Sequence, residues 1–158
     1  MLLTPHTFVG VAIAALIPNP LIAVPLSFIG HFLGDKVPHW DFYSNTKKEE
    51  RTTGWRPLAV MADLAVGVAV GVGFTSYAYF ELNNTLLAVN IFLCGVFSVL
   101  PDALSSLDLF LGKKHPLLNL LNKAQSAMQF QAPLPWGILT QILVITISLY
   151  LFLNSAVL

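Results

Sequence analysis

Charge is what this chain lacks most. Asp, Glu, Lys and Arg together make up 10% of its residues, against roughly 25% in ordinary soluble domains. Hydrophobic residues reach 56%. So few charges cannot cover a water-facing surface, which excludes an ordinary soluble domain and points to a membrane protein. Eight basic residues balance eight acidic ones, and the basic ones fall in two loops, not along a stripe. That excludes the electrostatic footprint of a nucleic-acid binder. The single cysteine, Cys94, lies in an apolar run, so no intrachain disulfide can form and the redox compartment stays open. The opening Met-Leu-Leu-Thr-Pro-His has no basic n-region and no small-residue cleavage site after it, so the first apolar segment is expected to belong to the mature protein. Repeats and low-complexity tracts are absent. At 158 residues the simplest organisation is one domain.

What is present is a set of apolar segments. The first runs from about Thr4 to Ile17, with Thr4 as N-cap and Pro5 at the first helical position, and stops at Pro18-Asn19-Pro20. The second runs from about Pro20 to Gly34, with a kink expected at Pro25. Each is shorter than the ~20 residues of a simple spanning helix. They are expected to form a hairpin that spans with bundle support or enters and returns. A polar loop over 36–56 precedes a third segment from about Pro57 to Phe80. A fourth, from about Thr85 to Leu100, continues past Pro101 as a kinked helix or a second short one. Pro116 to Phe130 reads as an amphipathic helix at the membrane interface, and a fifth apolar segment covers Trp136 to Ala156. The expected fold is therefore an all-α membrane protein: a compact bundle of about five hydrophobic helices, the first two short and hairpin-like, plus an interfacial amphipathic helix.

Every Lys and Arg lies in the loop over 36–56 or the polar region over 112–135. If all five segments cross, both regions fall on one side, which the positive-inside rule makes cytoplasmic. The expected location is the inner cell membrane, multi-pass, with the N-terminus cytoplasmic. Trp40, Trp55 and Trp136 mark that interface, and Tyr77, Tyr79 and Tyr150 the other.

The ionisable residues gather at the same end. His6 opens segment one. His31 and Asp35 close segment two, four apart and so on one helix face. His39 and Asp41 follow in the loop, Asp63 lies about two turns into segment three, and Asp102 ends segment four. Small or polar stripes at four-residue steps lead to them: Ala14-Gly10-His6, Ala23-Ser27-His31-Asp35, Gly71-Gly67-Asp63-Ala59 and Asn90-Cys94-Ser98-Asp102, with Gly137 and Gln141 on segment five. Small residues let membrane helices approach closely, so these stripes are expected to be the packed faces. An Asp at the centre of a spanning helix costs about 2.5–3.5 kcal/mol on the insertion scale. No Lys or Arg within the spans can balance it, but a cation could. Imidazole with carboxylate suits zinc, with manganese or iron as alternatives. The candidate ligands are His6, His31, Asp35, His39, Asp63 and Asp102. Single-residue alternatives stay open. His31 with Asp35 could be a helix-end pair, His39 a loop residue, Asp63 a protonated acid bonded to a neighbouring helix, and Asp102 an N-cap.

His31-Phe-Leu-Gly-Asp35, followed by Pro38 and His39, resembles the His-Tyr-Leu-Gly-Asp…Pro…His stretch of zinc-dependent phospholipase C. The spacing between its Asp and following His is shorter here. With Thr4-Pro5-His6 at the start and Pro101-Asp102 later, the chain resembles the small inner-membrane metal-dependent hydrolases known as YdjM-like proteins. Where those proteins carry a Gly-x-Thr-His-Ser-like motif, this loop reads Arg51-Thr-Thr-Gly-Trp-Arg56 and has no histidine. The resemblance implies that His31 and Asp35 are metal ligands, with His39 and His6 beside them. It also implies a hydrolase acting on a phosphoester in a lipid or amphiphilic substrate. In that expectation Asp35 or Asp63 serves as ligand or base and Arg51 or Arg56 holds the head group. The alternative is a non-enzymatic membrane protein, either a metal or proton conduit or a structural subunit.

Overall fold

The computed structural model describes residues 1–111 and 115–156. Lys113 and Lys114, part of the second basic region, lie outside them. The helices are α1 (Leu3–Leu16), α2 (Pro20–Asp35), α3 (Arg56–Phe80), α4 (Thr85–Leu111), α5 (Pro116–Met128) and α6 (Trp136–Ala156), with a short 3-10 turn at Lys48–Glu50. Among the described residues no strand forms, only an isolated bridge between His39 and Gln131. The expected helical bundle is present.

Three helices, α3, α4 and α6, are long and apolar enough to cross a membrane. Their outer faces carry Leu58, Met61, Val68, Phe92, Ile142 and Leu143, all exposed. So much exposed aliphatic surface would be a liability in water but is the solvated face in lipid. Helices α1 and α2 have 14 and 16 residues, about 21 and 24 Å at helical rise. Even so, Pro18 at their hairpin tip shares a cavity with Asn84, in the α3–α4 turn, and with Ser155 near the end of α6. The hairpin therefore runs the length of the bundle.

Helix α1 is the centre of the bundle and packs against α2, α3, α4 and α6. Its approach to α4 depends on Gly10, where an added Cβ would stand 2.6 Å from the carbonyl oxygen of Cys94. Thr7 seats on Gly67 of α3. The expected stripes are the packed faces: Ala23, Ser27, His31 and Asp35 of α2 are fully buried, as are Asn90 and Cys94 of α4. The apolar core between them is built from Val11, Ala14, Ala88, Ile91 and Phe152.

Two details differ from the sequence reading. Thr4 is not the N-cap of α1, because the helix starts two residues earlier, at Leu3, and Leu2 sits at the cap with no side-chain bond. Asp102 caps no new helix, because α4 runs unbroken through Pro101. Pro101 only removes the N–H that would bond the carbonyl four residues back.

Candidate metal centre

Five of the six predicted ligands meet at one end of the bundle. The rings of His6 on α1 and His31 on α2 stack with centroids 4.0 Å apart. Asp35, at the last turn of α2, stands between them: Oδ1 is 3.3 Å from His6 Nε2 and Oδ2 is 3.5 Å from His31 Nε2. His39 Nε2 lies 4.0 Å from Asp35 Oδ1 and 3.9 Å from Asp41 Oδ2. From α4, Asp102 Oδ1 comes within 3.6 Å of His31 Nε2. One donor atom each of His6, His31 and Asp102 falls within 4.8 Å of the others. His6, His31, Asp35 and His39 are fully buried, whereas the Asp102 side chain is 28% exposed. Asp102 is thus the least buried carboxylate of the cluster.

Two of the three histidines are held from behind by backbone carbonyls. His31 Nδ1 is 2.8 Å from the carbonyl oxygen of Ser98, and His39 Nδ1 is 2.8 Å from that of Val37. A carbonyl only accepts, so each Nδ1 carries a proton, and Nε2 is the atom left to face the cluster. A backbone carbonyl fixing the far nitrogen is the usual outer support of a metal-ligating histidine. Burial, and then the charge of the Met1 amino group, lower the pKa of His39 from its ordinary value, which keeps this ring neutral. Asp35 Oδ2, His39 Nε2 and His6 Nδ1 are buried without a hydrogen-bond partner. Buried acceptors left unpaired are costly, and a cation would satisfy them. A positive group already stands against this carboxylate, since the Met1 amino group donates to Asp35 Oδ1. The donor set, imidazole nitrogen with carboxylate oxygen, fits a divalent metal.

The loop that carries His39 is clamped from two sides. Phe130 N–H donates to the carbonyl of Asp35, His39 N–H to that of Phe130, and Ala132 N–H to that of His39. Gln141 on α6 donates to the Trp40 carbonyl at 2.8 Å, and Gly137 packs so closely that a Cβ there would stand 2.4 Å from Trp40 N. Gly34, inside the His-x-Leu-Gly-Asp stretch, leaves room for His6: a Cβ would lie 3.3 Å from its ring. Compared with family models, with curated proteins and with solved structures, the chain finds no match.

Asp63 does not join the cluster. Its Oδ2 accepts from Leu3 N–H at 2.6 Å, and its Oδ1 from Thr4 N–H at 3.2 Å and Thr4 Oγ1 at 2.6 Å. Both oxygens are occupied in capping α1 from α3, where the sequence reading had a ligand or base. The arginines are engaged within their own loop. Arg56 Nε donates to the Phe42 carbonyl at 3.2 Å, and the Arg51 guanidinium lies 5.3 Å from the Tyr43 ring centroid.

Gln125 on α5 was missed. Its amide nitrogen donates to Asp102 Oδ1 at 2.7 Å and reaches His31 Nε2 at 3.2 Å, and its carbonyl accepts from Ser105 Oγ. Leu118, Leu121, Asn122, Gln125 and Met128 form the inward stripe of α5, while Leu117 and Leu120 face out. A glutamine on an inward stripe needs polar partners.

Proposed function

We propose that this protein is a membrane-bound metal-dependent hydrolase whose centre is held by His6, His31, Asp35, His39 and Asp102. The carrying observation is that His39 Nε2 and Asp35 Oδ2 are buried with no hydrogen-bond partner, beside the His6, His31 and Asp102 donors that fall within 4.8 Å of one another. Zinc is the favoured ion, from the mixed imidazole and carboxylate donors. Bound there, a divalent ion supplies Lewis acidity, lowering the pKa of a water molecule and polarising a phosphoryl oxygen. The chain's own residues set the rest. Ser98 and Val37 orient the imidazoles, and Asp102, the most open of the carboxylates, is placed to take a proton from a reacting water. A phosphoester in a lipid or amphiphile is the substrate class, on the resemblance of the His31–His39 stretch and on the position of the site at one end of a lipid-embedded bundle. The positive-inside rule, applied to the basic residues of the two loops, supports a site on the cytoplasmic side of the inner membrane.

A conduit is the less supported reading. Asn90, in the half of the bundle away from the site, donates to the carbonyls of Ala14 and Ile17 at 2.9 and 2.8 Å. That is a structural bond set, not a second ion station. Elemental analysis of detergent-purified protein, wild type against Asp35→Asn, tests the centre. Wild type is expected to carry about one zinc per chain and the variant far less. Below about 0.2 metal per wild-type chain, purified without chelator, the metal reading fails.

A further inference from the structure

The amide of Gln125 stands where a cation would bind. It is 5% exposed, and its NH2 group points at His31 Nε2 and Asp102 Oδ1, two atoms that a metal would use. Ser105 Oγ holds the other end of the amide through Oε1. A metal bound to His31 takes the one Nε2 lone pair that an N–H of Gln125 now meets, while the Asp102 carboxylate keeps lone pairs for the other N–H. Buried donors do not stay unpaired, so the freed N–H needs a new acceptor, and an anionic substrate oxygen brought to the metal beside Asp102 supplies one. We propose that Gln125 is a positioning residue: its amide holds the cation seat between His31 and Asp102, yields it when a divalent metal binds, and then donates to the substrate anion. This rests on the metal centre proposed above.

Helix α5 is built for such a role. Leu117 and Leu120 face away from the bundle and are 69% and 66% exposed, which sets α5 at the lipid boundary, while Gln125 reaches inward. The residues just after α5 are pinned by the Phe130 and Ala132 bonds to the His39 loop. The amide can therefore turn about its own side chain without α5 leaving.

The test is zinc affinity, measured by competition with a chromogenic chelator in detergent, followed by inorganic phosphate binding to the zinc-loaded protein. Gln125→Leu, which fills the space and removes the donors, should bind zinc about 5–50-fold more tightly and phosphate about tenfold more weakly. Ser105→Ala, which frees the amide but keeps it, should shift zinc affinity in the same direction by less, and it guards against a Gln125 variant that folds badly. Equal zinc affinity in wild type and both variants overturns the placeholder. Unchanged phosphate affinity overturns the hand-over to substrate. Zinc bound by neither wild type nor variant overturns the metal centre itself, and the role of Gln125 with it.

Discussion

Replacing Asp63 separates two roles that its position alone leaves equivalent. An acid two turns inside a membrane helix can be a ligand or can hold the backbone of a neighbour. Four N–H groups at the start of α1 need partners from outside the helix. Leu2 N–H goes to Gln141 Oε1 at 2.9 Å, Leu3 and Thr4 N–H go to Asp63, and Pro5 has none to place. Asp63→Ala strips two of the three remaining donors at once and releases the Thr4 hydroxyl. Loss of a cap costs up to about 2 kcal/mol, and the hydroxyl bond adds about 1 kcal/mol. At roughly 2–4 °C per kcal/mol for a chain of this size, thermal unfolding in detergent should fall by roughly 6–12 °C. Asp63→Asn, which keeps one acceptor oxygen, should lose about half of that. Zinc per chain at saturation should stay that of wild type, because Asp63 is not among the donors. A variant that unfolds within about 2 °C of wild type yet carries no metal would refute the capping role and restore Asp63 as a ligand.

Three further outcomes follow from the packing and the site. His31→Ala should lower metal affinity by about 10–100-fold while the protein still purifies as a helical species, read by elemental analysis and circular dichroism. Wild-type metal content in that variant would remove His31 from the centre. Gly10→Ala should destabilise by about 1–3 kcal/mol, because the obstacle 2.6 Å from the new Cβ is the backbone oxygen of Cys94 and cannot rotate away; an unchanged unfolding temperature would contradict the α1–α4 contact. The cation-free protein should lose stability as pH falls below the ordinary histidine value of 6.5, since folding lowers the pKa of His39. The unfolded chain then takes up a proton that the folded one refuses, so the stability from neutral His39 is complete above 6.5 and declines below it. His39→Gln should flatten that slope between pH 7.5 and 5.5 (range chosen about the reference pKa), and an equal slope in both proteins would count against it.

The stripes were legible because lipid leaves few options. Polar and small residues at four-residue steps in an apolar helix have only other helices to face, so His6-Gly10-Ala14 and Asn90-Cys94-Ser98 declared both their packing and their direction. The meeting of His6, His31, Asp35, His39 and Asp102 followed once those faces pointed inward. The role of Asp63 could not be read the same way. Its placement on the Gly67–Gly71 stripe was right, but its partner is the start of α1, and nothing local to Asp63 says that Leu2 fails to cap that helix. Gln125 was overlooked because the leucines of α5 drew attention to the lipid side, and Leu117 and Leu120 do face away from the bundle. The inward seam through Leu118 and Leu121 becomes visible only with α2 and α4 in place.

A short helix in a longer bundle explains why the polar groups sort as they do. Both ends of α1 are flanked by other helices, and in lipid every backbone group needs an internal partner. Side chains from elsewhere supply them: Asp63 and Gln141 at its start, Asn90 at its end. Asp63 and Asn90 bond to α1 and the residue after it, and Gln141 divides its amide between Leu2 and the carbonyls of Trp40 and Gly137. With those bonds set aside, several buried polar atoms remain unpaired, among them Ser27 Oγ on α2. Asp35 Oδ2, His39 Nε2 and His6 Nδ1 are buried and unpaired, and His31 Nε2 and Asp102 are met only by the side chain of Gln125. Asp35 stands within 4.0 Å of His31 and His39, and Asp102 within 3.6 Å of His31. A cation there would satisfy the lone pairs that this group leaves over, a need that histidine and aspartate do not have as such.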